Sequence, residues 1–286
     1  MGRIVVIGSS NTDMVIKSRK IPSPGETILG GTFLMNPGGK GANQAVAAAR
    51  LEGNVTFVTK TGNDLFGEQA RHIFEFEKID SRFMVKDPRN PSGIALIRVD
   101  QEGENCIALA PGANGTLSAY DVADEVYGKD PSDVFLMQLE IPVSTVEFIA
   151  QKVSQKGNRV ILNPAPAKQL SDDLLACLFA ITPNENEAEI LTGVKVSDSE
   201  SASVAAEKLF GKGIRNVIIT LGGSGAWLKN EKISKQIPVT PGRAVDTTAA
   251  GDVFNGALAV AVSEGMDMEN AVTFANRAAS ISVTRM

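Results

Sequence analysis

The sequence predicts an α/β fold with a mostly parallel central sheet, covered by helices and carrying a small β appendage. Three observations lead there. Short β-rich apolar runs alternate with segments of helical periodicity, the pattern of parallel strands joined by crossover helices. The 286 residues are 43% hydrophobic and 21% charged, an ordinary globular composition long enough to bury a core without disulfide or metal staples. Two strand-like runs, Ile94 to Val99 and Asn105 to Ala110, interrupt the alternation and are joined by residues 100–104, which reads as a β-hairpin.

The elements follow in order. Ile4 to Ile7 is the first strand, and the Ala-rich segment Gln44 to Arg50 after a glycine cluster is a helix packed closely on the sheet. Val55 to Thr59 is a strand and Gly67 to Phe76 a helix. Val134 to Leu139 is the next strand, Thr145 to Gln155 an amphipathic helix ended by Gly157, and Val160 to Asn163 a strand. Helices are predicted at Leu174 to Phe179, Glu185 to Leu191 and Ala202 to Phe210, and a β-branched strand at Val217 to Leu221. Two helices close the chain, Ala250 to Glu264 and Met268 to Val283. With no internal repeat, low-complexity tract or linker, a single domain is the simplest organisation.

Composition and motifs exclude several function classes. A net charge of −5, from 28 Lys+Arg against 33 Asp+Glu, argues against a dedicated nucleic-acid binder. Cys106 and Cys177 form no CxxC pair, so neither a disulfide scaffold nor a Cys-based zinc site is expected, and a cytoplasmic setting fits. No stretch approaches a membrane span, and the four apolar residues Ile4 to Ile7 are too few for a signal-peptide core. The turn Gly8-Ser9-Ser10-Asn11-Thr12-Asp13 lacks the G-x-G-x-x-G spacing of a dinucleotide fold, and no Gly-Lys pair is followed by Ser or Thr as a Walker A loop requires. The lone His72 reads as a surface residue, which makes a Ser-His-Asp hydrolase improbable.

Two segments carry candidate chemistry. Asn36 to Asn43, with Gly38, Gly39 and Gly41, is either a tight turn with a helix cap or a loop presenting backbone N–H groups and an amide to a polar ligand. Asp246 to Asp252, with small residues leading into a helix, is either an anion hole or a helix start whose Asp252 only stabilises the N-terminus.

In this order and separation, the two segments resemble the signature regions of the ribokinase-like (PfkB) family of carbohydrate kinases. Gly8 to Asp13, Pro24-Gly25-Glu26-Thr27, Leu136-Met137-Gln138-Leu139-Glu140, Asn163-Pro164-Ala165-Pro166, Thr182-Pro183-Asn184-Glu185 and Thr220-Leu221-Gly222 fit the same family, so the similarity spans nearly the whole chain. The resemblance implies a three-layer α/β sandwich whose β-sheet lid is formed by segments at about 13–17, 28–33 and 94–110. It implies a kinase that moves the γ-phosphoryl group of ATP to the 5-hydroxyl of D-ribose, with Mg²⁺ and a monovalent cation such as K⁺, and a homodimer paired through the lid. Kinases of the same fold for 2-deoxyribose, fructose or a nucleoside, and a non-catalytic sugar binder, are the alternatives.

The resemblance also implies site residues. Asp252 matches the catalytic base, and Ala249, Ala250 and Gly251 the anion hole. Asn11, Thr12, Asp13, Gly39, Lys40, Gly41, Ala42, Asn43 and Glu140, with Asp252, match the sugar site. Asn184, Thr220, Leu221, Gly222, Gly223, Ser224, Gly225 and Asn276, with Gly251 and Asp252, match the ATP site. Asp246, Thr248, Ser282 and Arg285 match the monovalent-cation site, and Glu187 organises Mg²⁺ through water, while Glu185 and Glu189 are expected to be solvated. Family members continue beyond the helix ending near Val283 into a loop and a terminal helix, so these are expected to be missing from a chain that stops at Met286.

Overall fold

The computed structural model describes residues 2–128, 130–239 and 245–284. In chain order the strands are β1 (Ile4–Ile7), β2 (Asn11–Lys17), β3 (Thr32–Gly38), β4 (Val55–Val58), β5 (Lys60–Gly62), β6 (Val85–Asp87), β7 (Gly93–Val99), β8 (Asn105–Ala110), β9 (Val134–Met137), β10 (Arg159–Leu162), β11 (Ala180–Ile181), β12 (Asn216–Thr220), β13 (Ala226–Lys229) and β14 (Ser234–Ile237). The helices are α1 (Lys40–Arg50), α2 (Leu65–Phe76), α3 (Val143–Ser154), α4 (Asp172–Ala176), α5 (Glu185–Thr192), α6 (Ser199–Phe210), α7 (Ala250–Ser263) and α8 (Met268–Ser282).

Eight strands form the main sheet in the order β14-β13-β12-β11-β10-β9-β1-β4. From β4 to β12 every pairing is parallel, and β13 and β14 add an antiparallel edge. Strand residues without polar alternation are what a sheet covered on both faces requires. Thus in β1, Val5 and Ile7 enter a core with α3, α4, α5 and α6, whereas Ile4 and Val6 enter a second core with α1, α2, α7 and α8. The result is three layers.

A separate four-stranded sheet, β3-β2-β7-β8, is the lid expected from the sequence. Its strands β2 and β7 leave the body side by side, with Asn11 opposite both Gly38 and Gly93. Beyond that root the sheet is exposed, including Ile16, Phe33, Met35, Leu96 and Ile107.

Three local expectations are corrected. The lid strand predicted near 28–33 runs from Thr32 to Gly38, because Gly30 and Gly31 hold positive φ and break the extended chain before it. Pro37 is tolerated within β3 because β3 is an edge strand. The helix predicted over Leu174 to Phe179 stops at Ala176, and the following residues join the sheet, with Phe179 N–H donating to the Val160 carbonyl at 2.9 Å. Helix α1 starts at Lys40 rather than Gln44, so the glycine segment supplies its first turn. The short strands β5, β6, β11, β13 and β14 had too few residues or too polar a pattern to be read.

Helix α7 is buried almost all round, which suits its apolar run, and it crosses α1 where only small residues meet. A Cβ on Gly256 would lie 2.8 Å from the Ala47 Cβ, 2.8 Å from the Gln44 carbonyl oxygen and 3.0 Å from the Ala48 nitrogen. Gly256→Ala gains about 1 kcal/mol in helix propensity, but crowding the backbone of α1 costs roughly 1–3 kcal/mol. The expected result is a lower urea midpoint with an unchanged m-value. A midpoint at or above that of the parent would mean that α1 can move aside.

Candidate active site

The site lies at the carboxyl ends of the parallel strands, where open α/β sheets bind ligands. Asp252 stands in the first turn of α7 and is only 6% exposed. Its Oδ2 accepts from Asn43 Nδ2 at 3.1 Å and its Oδ1 from Gln44 Nε2 at 2.9 Å. Burial raises the pKa of this carboxyl, while the Lys40 charge and the two amide donors oppose the shift. Residue Ala249 takes a left-handed conformation, φ 58°, at the start of α7 and offers no side-chain cap. The Ala250 N–H reaches the Thr247 carbonyl at 3.3 Å and the Val253 N–H that of Ala249, but among the described residues the N–H groups of Gly251 and Asp252 have no backbone acceptor. Helices α2, α4, α5, α6 and α8 are each capped by a side chain at their N-cap position, whereas α7, like α3, starts without one.

Three carboxylates face one another beside the lid root. Asp13 on β2 is pushed up to about 6 by burial and by the charges of Glu140 and Asp252. Glu140 is no free strand end, since its Oε2 accepts from Ser9 Oγ at 2.6 Å and from the Lys40 N–H at 3.1 Å. The Gly41 N–H reaches Ser9 Oγ at 3.3 Å and the Ala42 N–H the Ser9 carbonyl at 2.9 Å. The first turn of α1 is therefore capped by distant side chains. The N–H groups of Lys40, Gly41 and Ala42 are thus engaged by Glu140 and Ser9, and the groups that bond Asp252 are the side-chain amides of Asn43 and Gln44. Gly39 is needed where it stands: its φ is 92°, and a Cβ there would lie 2.8 Å from the Asn11 nitrogen.

Not every residue expected at the sugar site joins this cluster. Strand alternation sends Thr12 to the opposite face of β2 from Asp13, and Thr12, Asn11 and Ala42 all line a separate, mostly apolar cavity of about 280 Å³ against α2. The Ala42 side chain belongs to the core. A residue that the sequence did not mark, Asn114, is buried and bonds Ser10 N–H at 2.9 Å, the Ser10 carbonyl at 3.0 Å and Asn11 Oδ1 at 2.8 Å. It thereby turns the donor end of the Asn11 amide away from itself. An Asn in a loop carries no periodicity signal that could have revealed this.

On the other side of Asp252 a cleft of about 490 Å³ runs along the start of α7. Thr220, Gly222, Gly223, Gly225, Asn276, Asn184 and Gly251 line it, joined by Phe254, Ser280 and Val283, which the sequence did not single out. Glu185, half-buried, also lines this open cleft. Leu221 packs on the apolar core and the Ser224 carbonyl accepts from Gln236 Nε2 at 2.6 Å; neither residue lines the cleft. Asn276 Nδ2 donates to the Ile237 carbonyl at 3.0 Å. Asn184 and Glu187 form a capping box at α5, with Glu187 N–H to Asn184 Oδ1 at 2.8 Å and Asn184 N–H to Glu187 Oε2 at 3.0 Å. Burial raises the pKa of Glu187, opposed by the Asn184 N–H and by Lys40.

The residues expected at a monovalent-cation site are partly brought together. Asp246 Oδ1 accepts from the Thr248 N–H at 2.8 Å, and the N–H groups of Val245 and Asp246 both reach the Val283 carbonyl beside Ser282. Arg285 lies outside the described residues. Among the described residues no three acidic, His or Cys side chains converge on one metal position. No helix among them is long and apolar enough to cross a membrane.

Comparison with known proteins agrees with this geometry. The family model described as pfkB family carbohydrate kinase matches residues 1–286. The ribokinase of Haemophilus influenzae is 45% identical over 99% of this chain and 92% of its own length, and a deoxyribokinase of Salmonella typhi is 37% identical over 98% and 92%. The structure of Arabidopsis thaliana ribokinase complexed with ribose and ATP superposes with a TM-score of 0.92 at 32% identity, covering 100% of this chain and 94% of the other. A mostly parallel sheet with a β lid, a buried aspartate at an open helix start and a family match along the whole chain together make this protein a member of the PfkB family of carbohydrate kinases.

Proposed function

We propose that this chain phosphorylates D-ribose at the 5-hydroxyl, using ATP and giving ribose 5-phosphate and ADP. One observation carries the reading: Asp252 sits at the uncapped first turn of α7, between a cluster of amides and carboxylates at the lid root and a separate cleft. The ribokinase relatives named above supply the substrate class.

Asn11, Asp13, Asn43 and Glu140 hydrogen-bond the sugar, and Asp252 accepts the proton of the 5-hydroxyl as its oxygen bonds to the γ-phosphorus and the bond to ADP breaks. An alkanol is too weak an acid to ionise beforehand, so a positioned carboxylate is worth roughly 10²–10⁴ in rate. The free N–H groups of Gly251 and Asp252 face the charge on the transferring phosphoryl oxygens, a donor set worth about 3–4 kcal/mol. ATP lies in the cleft between Thr220 to Gly225 and Asn276. Among the described residues no three acidic side chains are placed to hold a metal ion, so Mg²⁺ would be held by ATP phosphates and water, with Glu187 in the outer shell, which suits a cation that sheds water reluctantly. When bound it neutralises phosphate charge. Asp246, Thr248 and Ser282 are the described residues that would hold K⁺, largely through carbonyl groups. The exposed apolar lid residues suit pairing of two copies, which sedimentation of the intact protein would detect.

A second reading, phosphorylation of 2-deoxyribose, is favoured by the deoxyribokinase relative at 37% identity. Coupled ADP release with ribose, 2-deoxyribose, fructose and adenosine, each with and without K⁺, separates the two. Ribose should give the highest kcat/KM, and a preference for 2-deoxyribose would replace the proposed substrate. Asp252→Asn should bind ribose and ATP yet lose at least about 100-fold in kcat; turnover within about threefold of the parent would remove the base from this position.

Asp13 gives a prediction in which stability and binding move in opposite directions. Its folded pKa lies above the unfolded value, so the native state binds the extra proton between about pH 4 and 6, and stability falls as pH rises through that window. Above it the ionised group is a net cost. Asp13→Asn should therefore stabilise the ligand-free protein by about 1 kcal/mol at pH 8 and hardly at pH 4, while weakening ribose binding. Equal melting temperatures for the two proteins at pH 8 would contradict this.

A further inference from the structure

We propose that Gln44 is a positioning residue for phosphoryl transfer, whose buried amide holds the Asp252 carboxylate in one orientation and in its ionised, proton-accepting form. The inference rests on the reading of Asp252 as the base.

Gln44 is completely buried, a poor place for an amide unless all its groups are engaged. Its Nε2 donates to Asp252 Oδ1 at 2.9 Å and to Asn163 Oδ1 at 3.0 Å. Neighbours decide which way this amide points. Asn163 commits its own Nδ2 to the Thr182 carbonyl at 3.2 Å, so it can offer Gln44 only an oxygen. An ionised Asp252 likewise only accepts. Gln44 must then turn its NH₂ toward both and find a donor for its oxygen, which Gln138 Nε2 supplies at 2.6 Å. The chain of amides ends at Gln138 Oε1, a buried atom with no hydrogen-bond partner. Reversing both amides would pair Gln138 Oε1 with the Gln44 NH₂ but turn the Gln44 oxygen onto the acceptors at Asp252 and Asn163. The unpaired oxygen is thus the far end of an arrangement whose near end is a donor on the carboxylate.

The other end of the chain is also anchored. Thr182 Oγ1 donates to Asn255 Oδ1 at 2.6 Å, and Asn255 Nδ2 to the Gly251 carbonyl at 2.8 Å. The same network therefore ties the ends of β9, β10 and β11 to the first turn of α7. The charged groups facing Asp252 are Lys40 on α1, which favours the ionised form, and Glu140 after β9, Asp13 on β2 and Glu187 on α5, which oppose it. With acids outnumbering the single lysine, the Gln44 donor contributes to keeping Asp252 ionised near neutral pH.

The test is the pH dependence of kcat and of KM for ribose in Gln44→Leu, Gln138→Leu and Asp252→Asn, with thermal melting of each. Gln44→Leu should move the acid limb of kcat up by about one pH unit and lower kcat about tenfold at pH 6.5, with KM changed less than about threefold. Gln138→Leu removes one unpaired oxygen but leaves that of Gln44 without its donor and frees the Gln44 amide; it should fold, melt at or slightly below the parent, and move the limb the same way by a smaller amount. If Gln44→Leu does not fold, Gln138→Leu carries the test alone. A limb that stays in place, or a kcat loss equal at every pH, overturns the inference and leaves Gln44 a space-filling residue. An Asp252→Asn protein that still turns over would overturn the base assignment and this inference together, whereas an inactive Asp252→Asn beside an unmoved limb overturns this inference only.

Discussion

The contact between α1 and α7 is made by methyl groups and a glycine, and the polar site depends on it. Because Gly256 lets the two helix backbones approach, Asn43 and Gln44 on α1 come within hydrogen-bond reach of Asp252 on α7, although they are 209 and 208 residues away in sequence. Larger side chains would part the helices, and the two amides would lose the carboxylate. Packing density and proton chemistry are thus one problem here. Its solution lies where Gly256 meets Ala47, Ala48 and the backbone of Gln44.

Around that contact the charges are arranged at a cost. Asp13, Glu140 and Asp252 raise one another's energy in the ligand-free protein, as the raised pKa of Asp13 records. Stability is given up where polar ligands for a hydroxylated substrate are wanted. Capping of α1 by Glu140 and Ser9 shows the same residues serving the fold and the site at once.

Much of this was legible in the sequence. The parallel core strands are unbroken apolar runs, and the helices next to them carry clear periodicity, so the layers and the lid hairpin could be read directly. Motif resemblance marked Asp252, Asn43, Glu140 and the cleft glycines, and the fold brings Asn43 onto Asp252. What it missed has physical reasons. Gly30 and Gly31 moved a lid strand by several residues through backbone conformation alone. Thr12 matched by position, yet strand alternation turns it to the other face. Asn114, Gln138 and Gln44 act through pairings between distant segments, and a single sequence holds no trace of which buried amides will meet. Glu185, Phe254 and Val283 line the cleft only because of how α5, α7 and α8 are set around it.

Helix α7 is enclosed on nearly all sides, and its first turn is moored to three strand ends through Asn255 and Gln44. The proposed base and the open amides beside it are therefore stationary to within the tolerance of the core. Asn11 and Asp13, by contrast, ride on β2, whose far half stands in solvent. In the proposed phosphoryl transfer, a base and amides held this way by the core need little rearrangement at the moment of reaction, whereas the sugar side is tied to the body only at the root of its sheet.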